Sequence, residues 1–173
     1  MPNTLRIRKA NASDLDKIAP IEAAAAALFP PGRVPDAQET TPLEELQEAA
    51  GEGLLWVAEV GEELVGFCIA WPEDDRLHLE EVDVLPRFGR RGIGRALIDA
   101  VIAEARRRKL AEVTLTTFAD LAWNGPYYRR LGFRDCKLNE LPLALATILE
   151  DERRSGMTQR IAMRLEVEPT AER

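Results

Sequence analysis

The stretch from His78 to Lys109 most constrains what this chain can fold into, because it reads as a strand, a glycine-rich turn and a helix in direct succession. His78 to Val84 is rich in β-favouring residues, and Pro86 ends this strand because proline cannot donate to a ladder. From Ile93 onward apolar residues recur at helical spacing. The turn between strand and helix holds three glycines, Gly89, Gly92 and Gly94.

A glycine-rich helix start surrounded by arginines predicts an anion site. The first N–H groups of a helix have no partner inside it, and the helix dipole adds positive charge at that end. Four arginines flank the glycines: Arg87, Arg90, Arg91 and Arg95. A phosphate or pyrophosphate fits such a turn best. A tight connection that binds nothing is the alternative interpretation of this stretch taken alone.

Two other phosphate-binding patterns do not fit. The glycines are ordered G-x-x-G-x-G rather than the G-x-G-x-x-G of dinucleotide-binding folds, and no acidic residue ends a second strand about 20 residues on. No Lys-Ser or Lys-Thr follows the glycines, as a P-loop would require.

Length and charge limit the class of protein. The 173 residues predict one domain over 1–168 and a disordered tail over 169–173. No apolar run approaches the roughly 20 residues of a membrane span, and the N-terminus lacks the apolar core of a signal peptide, so we expect a cytoplasmic protein with no membrane partner. The net charge of −7 argues against nucleic acid as a partner and would attract cationic substrates. A homodimer is compatible with the sequence.

The order of the remaining patterns predicts an α/β (α+β) fold. Strands are expected at 5–9, 54–60, 64–71, 78–84 and 111–118, from about 133, and at 159–167. Helices are expected at 13–28, from 41 to 51 or 53, at 93–109 and at 141–156, with a loop over 29–38. Thr41 is the predicted N-cap of the second helix. The strand, helix and strand from 78 to 118 imply a parallel pair with a right-handed crossover. We therefore expect a mixed, mostly antiparallel central sheet with one parallel crossover pair, flanked by helices.

A second motif, WNGPYYRRLGF over 123–133, follows the fifth strand. Asn124 and Pro126 are typical of a helix start and Gly132 of a helix end, which puts Tyr127 and Tyr128 on a short helix. On their own, two such tyrosines would most often only pack. Together with the preceding V-D-V-L-P and G-R-R-G-I-G-R, the motif resembles the GNAT family of N-acetyltransferases. The resemblance spans essentially the whole chain.

The resemblance implies the acyl-CoA N-acyltransferase fold, acetyl-CoA as the acyl donor, direct attack by an amine, and no metal. It assigns cofactor binding to the splayed strand and the turn after it, here Val82, Asp83, Val84, Arg90, Arg91, Gly92, Ile93, Gly94 and Arg95. It implies that the Val84 N–H polarises the thioester carbonyl and that Asn124 contacts the cofactor. It makes Tyr128 the group that protonates the departing coenzyme A thiolate.

Two positions depart from the family's pattern. The family usually has Gln or Arg where this chain has Gly89, and Arg90 stands where glycine is common, so Arg90 would have to supply the missing phosphate contact. Asn124 precedes Tyr128 by only four residues, about one helical turn closer than the commonest arrangement.

An amine acceptor is protonated at neutral pH, so the reaction needs a group that takes its proton. Glu81 is preferred over Glu80, because the neighbouring Asp83 would raise its pKa by like-charge repulsion. Strict alternation places His78, Glu80, Val82 and Val84 on one face of the strand and Glu81 and Asp83 on the other, unless a bulge shifts the phase. Each carboxylate alone could instead be a solvated charge at a strand end. His78 is expected at the surface rather than in catalysis.

Two classes of function follow from these residues. The first is an acetyl-CoA-dependent N-acetyltransferase that modifies a cationic amine of a small molecule or a protein. The alternative is a non-catalytic module of the same fold that senses acyl-CoA. The loop after the first helix and residues 138–158 would set the acceptor. Tyr128 and the strand carboxylates favour the enzyme.

Overall fold

The structure, a computed structural model, describes residues 4–35 and 39–169. In these ranges the chain forms one mixed sheet with helices on both of its faces, which confirms the predicted fold class. The predicted disordered tail lies outside the described residues except for residue 169, and so does the part of the predicted loop at 36–38. No helix within the described ranges is long and apolar enough to cross a membrane.

The strands lie close to their predicted positions. They are β1 (Leu5–Lys9), β2 (Leu55–Val60), β3 (Glu63–Glu73), β4 (Arg76–Val84), β5 (Glu112–Phe118), β6 (Arg134–Asp135) and β7 (Arg160–Glu166). Their order across the sheet is β1-β2-β3-β4-β5-β7-β6. Among the described strands only β4 and β5 pair in parallel, as the crossover between them predicts.

The helices are α1 (Ile18–Ala26, after a 3₁₀ turn at Ala12–Lys17), α2 (Leu43–Gly51), α3 (Ile93–Arg107), α4 (Gly125–Arg130) and α5 (Leu143–Arg154). α3 begins directly after Gly92 and carries Arg106 and Arg107 in its last turn, where the helix dipole favours cations. The long helix, the short tyrosine helix and the late helix are thereby confirmed.

Two apolar cores lie on opposite faces of the sheet. α3 packs Leu97 and Val101 against Leu79 and its neighbours on one face. α1 and α2 cover the other face, where Ile18 meets Phe67. Burial of each such side chain stabilises the fold by about 1.5–3 kcal/mol. α3 is therefore anchored firmly enough to hold the turn at its start.

The parallel pairing of β4 and β5 covers only three residue pairs, Arg76–Glu112, Leu77–Val113 and His78–Thr114. Beyond it, β5 continues against β7 up to Phe118, whereas β4 continues against β3 up to Val84. The two strands therefore diverge and leave a V-shaped gap in the middle of the sheet.

A bulge in β4 lies where the divergence begins. The register with β3 shifts between Ile69 and Ala70, so that Glu80 is the extra residue in β4. A bulge sharpens the local twist and ends regular pairing, and bulges are common beside active sites. The bulge thus accounts for the direction in which β4 leaves β5.

The bulge also overturns the strict alternation predicted for this strand. Val82 and Val84 pack in the same core as Leu79, under α3. Glu81 and Asp83 alternate with them and lie on the opposite face, towards α1. The extra residue has shifted the phase by one, as a bulge must.

His78 is buried, so the prediction of a surface position is wrong. It is 4% exposed, and its Nδ1 lies 3.1 Å from the Thr114 hydroxyl oxygen. Burial lowers the pKa of His78 to about 4, so the ring is neutral at neutral pH. Its hydrogen bond to Thr114 joins β4 and β5 at the last pair before the gap.

Thr41 does not cap α2 as predicted. Pro42 takes the N-cap position and makes no side-chain cap hydrogen bond. The backbone N–H and the hydroxyl of Thr41 instead donate to the carboxylate of Glu22, at 2.9 and 3.0 Å. This contact ties the segment before α2 to α1.

Candidate active site

A cavity of about 840 Å³ opens between the end of β4, the start of α3 and α4. Residues from the turn and the start of α3, within 86–95, line one side, and residues of the segment 122–131 line another. Val82, Asp83 and Val84 line its inner end at the gap in the sheet. A cavity of this size can enclose much of a nucleotide-sized cofactor.

The start of α3 offers free backbone donors to this cavity. Gly92 precedes the helix with a φ of 77°, in the left-handed region, and no side chain caps the helix. A Cβ atom on Gly94 would lie at ordinary contact distance, 3.5 Å, from the Tyr127 hydroxyl, and without a Cβ atom the backbone at this position stays open to a ligand. Because residues 92–95 line the cavity, these donors fit a pyrophosphate.

Arg90 holds a backbone conformation that favours glycine. Its φ is 60°, which agrees with its place where the family often has glycine. A Cβ atom on Gly89 would lie 3.1 Å from the Pro86 carbonyl oxygen, so that position leaves little room for a side chain. Arg90 lines the cavity, so it is a candidate to replace the side chain missing at Gly89.

The other predicted arginines differ in their positions. Arg95 lines the cavity and lies 3.3 Å from Asp99. Arg91 does not line it, and its guanidinium lies over the Phe88 ring at 5.1 Å. Arg130, which sequence reasoning did not single out, lines the opposite wall.

The edge of β4 facing the gap carries unpaired backbone groups. The Leu85 N–H donates to the Val65 carbonyl of β3 at 2.8 Å. Since successive residues of a strand direct their backbone groups to opposite edges, Val82 and Val84 direct theirs into the gap. Within the described residues β3 pairs with the other edge of this part of β4, and no strand pairs with the edge that faces the gap. An extended ligand can pair with it as an added strand would.

Tyr128 lines this first cavity and also a second one, so it stands where the two meet. Its ring packs edge-on against Phe133 and Tyr127, at 5.7 and 5.4 Å between ring centroids. Burial raises the pKa of Tyr128 above its ordinary value, so the phenol stays protonated at neutral pH and can donate a hydrogen bond. Tyr127 lines only the first cavity.

Asn124 occupies the N-cap position of α4 but makes no side-chain cap hydrogen bond. Its Oδ1 accepts from the Thr117 hydroxyl at 2.8 Å instead. Asn124 is buried and lines both cavities, so it joins the end of β5 to the start of the tyrosine helix.

The second cavity, of about 360 Å³, lies on the α1 side of the gap. Six carboxyl groups line it: Glu22, Glu39, Glu80, Glu81, Asp83 and Glu152. Arg160 is the one cation among its described lining residues, and it already pairs with Glu152 at 2.9 Å. The cavity therefore attracts positive charge.

Two of these carboxyl groups have pKa values raised above their ordinary range. The side chains of Glu81 and Asp83 lie on the same face of β4, within hydrogen-bonding reach of each other. Burial raises the pKa of both groups, and the charge of Asp83 raises that of Glu81 further. The pair therefore keeps one proton at neutral pH, while its second carboxylate is free to accept another.

Glu80 lies at the rim of the cavity. Its side chain is 52% exposed, and its carboxylate is 4.0 Å from the His78 ring. Partial burial raises the pKa of Glu80, as do the charges of Glu45 and Glu152. Its exposure makes Glu80 a weaker candidate for the base than the more buried Glu81.

Aromatic contacts hold the loop after α1 over the second cavity. The guanidinium groups of Arg33 and Arg160 both lie over the Phe118 ring, with their central carbons 4.7 and 4.5 Å from its centroid. Phe29 packs against the same ring at 5.6 Å. Arg33 also makes a two-pronged hydrogen bond to Asp120, at 2.6 and 3.0 Å. Phe29, Val34 and Pro35 of this loop line the cavity.

Residues 21–133 match the model of the acetyltransferase (GNAT) family. The chain belongs to this family. The matched residues include β4, the glycine turn, α3 and α4, which together enclose the first cavity.

Solved structures of acetyltransferases share the fold of this GNAT protein. The ribosomal-protein-S18-alanine N-acetyltransferase from Escherichia coli is 24% identical with a TM-score of 0.70, and the match covers 98% of this chain and 97% of that one. A putative acetyltransferase from Salmonella typhimurium, solved with its cofactor acetyl-CoA, is 19% identical with a TM-score of 0.69 over 98% of each chain. An N-acetyltransferase from Thermoplasma acidophilum in complex with coenzyme A is 14% identical with a TM-score of 0.71, over 94% and 99% of the two chains.

Glu22 is the main site residue that sequence reasoning missed. It is the one charged residue in the α1 sequence IAPIEAAAA, and a lone carboxylate in such a helix is the signal that could have found it. Arg130 carried no such signal, because the sequence does not distinguish it from its neighbour Arg129. In the structure Arg129 donates two hydrogen bonds to Asp135, at 2.8 and 2.9 Å.

Replacing Arg90 with glycine is expected to raise stability and to weaken coenzyme A binding. Glycine adopts a positive φ without the strain of about 1 kcal/mol that a side chain adds there. Loss of a charge-assisted contact of about 1 kcal/mol would raise the Kd roughly fivefold. Urea unfolding measures the first effect and calorimetry with coenzyme A the second.

Arg90→Ala is the matched control, since it removes the guanidinium but keeps the strained backbone. It should weaken binding as much as Arg90→Gly without the gain in stability. Wild-type affinity in both variants would exclude a contact between Arg90 and the phosphates.

Proposed function

We propose that the protein is an acetyl-CoA-dependent N-acetyltransferase whose acceptor is a primary amine that binds as a cation. One observation carries the proposal. A cavity suited to an anionic, extended cofactor and a cavity lined by carboxylates meet at Tyr128 and Asp83. A donor with negative charge and an acceptor with positive charge would thus enter from two sides and meet at the gap.

The first cavity is suited to hold the acyl donor along its length. The start of α3, Arg90 and Arg130 would bind the pyrophosphate, and the open edge of β4 would bind the pantetheine arm. The Val84 N–H would donate to the thioester carbonyl, where negative charge develops during attack. When bound, acetyl-CoA supplies an activated acetyl group as a thioester.

Two groups at the gap would transfer protons: the Glu81–Asp83 pair and Tyr128. An amine becomes a nucleophile only after it has lost its extra proton, and the Glu81–Asp83 pair is placed to take that proton directly or through water. Tyr128, protonated at neutral pH, would donate to the departing sulfur. Acceptor and leaving group would thereby exchange protons with different residues on the two sides of the gap.

The acid-lined cavity favours this reaction over the alternative, a module that senses acyl-CoA without turnover. A sensor would need only the first cavity, because recognition of the cofactor requires no proton acceptor beside its thioester. The carboxylates and apolar walls of the second cavity suit an ammonium group on a small molecule or a protein.

A screen of amines with acetyl-CoA, read out as released thiol, tests the proposal. Cationic primary amines are expected to be the best acceptors, and their kcat/KM should fall with added salt, because exposed charges are screened over about 8 Å at physiological ionic strength. Coenzyme A binding without thiol release from any amine would favour the sensor. A neutral or anionic best acceptor would contradict the cationic site.

Tyr128→Phe removes the proposed general acid and is expected to lower kcat by about 10²- to 10⁴-fold with little change in coenzyme A affinity. Tyr127→Phe is the control, since Tyr127 lies on the same helix and its ring contacts that of Tyr128, but it lines only the first cavity. It should cost far less. Steady-state kinetics and calorimetry on both variants measure the difference, and small, equal losses would mean that the two tyrosines only pack.

A further inference from the structure

Glu22 is a buried carboxylate that the mechanism above leaves without a role. It is 8% exposed and lines the second cavity from α1. Three contacts from Thr41 hold it: the backbone N–H reaches both carboxylate oxygens, at 3.1 and 2.9 Å, and the hydroxyl reaches one at 3.0 Å. All three use Glu22 as an acceptor. Its side chain is thus fixed in place and oriented by the segment before α2.

The same carboxylate lies within hydrogen-bonding reach of Glu81. Three carboxyl groups therefore meet on the α1 side of the gap: Glu22, Glu81 and Asp83. Three such groups in a partly desolvated site cannot all be ionised, because like charges repel strongly there. Since Thr41 already holds Glu22 as an acceptor, the donor in the contact between Glu22 and Glu81 is Glu81.

We propose that Glu22 is a positioning residue that keeps the shared proton on Glu81 and so leaves Asp83 free to accept the proton of the incoming amine. The inference rests on the proposed function, in which the Glu81–Asp83 pair is the base. A carboxylic acid has one O–H group, and an O–H directed to Glu22 is not directed to Asp83. Asp83 then keeps its lone pairs for the ammonium group or for a bridging water.

The surroundings add to the same effect. The other charged or titratable groups that line the same cavity are Glu39 before α2, Glu80 on β4, Tyr128 on α4, Glu152 on α5 and Arg160 on β7, and Glu45 on α2 acts on Glu80. Arg160 is paired with Glu152, so it does not neutralise the cluster. The remaining carboxylates disfavour further negative charge and retain the shared proton.

The pH dependence of kcat/KM tests the role of Glu22. In the wild-type protein kcat/KM should rise with pH as Asp83 loses its own proton, while Glu81 keeps the shared one. Glu22→Gln keeps the size of the side chain and an acceptor for Thr41 but removes a negative charge that raises the pKa values of the pair. The rising limb of the pH profile, which is the pH range over which kcat/KM increases, should therefore move to lower pH by about 1 unit.

Thr41→Val is the matched control. It removes the hydroxyl but keeps the charge of Glu22 and the backbone N–H bond, so it should lower stability and leave the position of the rising limb unchanged. A Glu22→Gln protein that folds and shows the wild-type limb would overturn the proposal, and so would an equal shift in Thr41→Val.

A titration of the side-chain carboxyl groups by carbon NMR gives a second readout that needs no acceptor and no turnover. In the wild-type protein the Glu81 carboxyl is expected to remain protonated at pH 7, and in Glu22→Gln to lose its proton at lower pH. Ordinary titration of Glu81 near pH 4, about the value of a free glutamate, would overturn the proposal even if the variant fails to fold. If Glu81 titrates as expected but the protein acetylates no amine, the proton is placed as proposed here, and only the proposed function is contradicted.

Discussion

The backbone pairing between β4 and β5 ends at His78 and Thr114, and the whole site depends on where it ends. Backbone groups in a protein interior need partners, because an unpaired buried N–H or C=O costs about as much as a lost hydrogen bond. At Val82 and Val84 the sheet itself does not provide them. The gap is therefore an edge that an extended ligand can complete and, at the same time, the passage that joins the two cavities.

The divergence also determines the electrostatics of the site. In a regular strand Glu80 would share a face with Val82, whereas the bulge places Glu81 and Asp83 together on the side of α1, where Glu22 already lies. Gathering like charges in a half-buried place lowers stability, and such arrangements concentrate at functional sites because they shift pKa values towards neutrality. One extra residue in β4 thus opens the gap and assembles the proton acceptor beside it.

The parts of the structure that could be predicted are those encoded locally. The strand, proline, glycines and helix from His78 onward are ordered by periodicity and by chain-breaking residues, and these act within a few positions. The bulge at Glu80 could not be predicted, because it depends on the register with β3. Thr41 follows a good capping pattern but is bound by Glu22 from another helix. His78 is buried against expectation because Thr114 on the neighbouring strand satisfies its ring.

Amide hydrogen exchange along β4, measured by NMR with and without coenzyme A, tests the central claim most directly. The amides of Val82 and Val84 should exchange markedly more slowly when the protein is saturated with coenzyme A, because the ligand completes the open edge of the strand. The Leu85 amide, already bonded to Val65 at 2.8 Å, should change little. Unaltered exchange at both Val82 and Val84 in a saturated complex would contradict the gap as the binding edge.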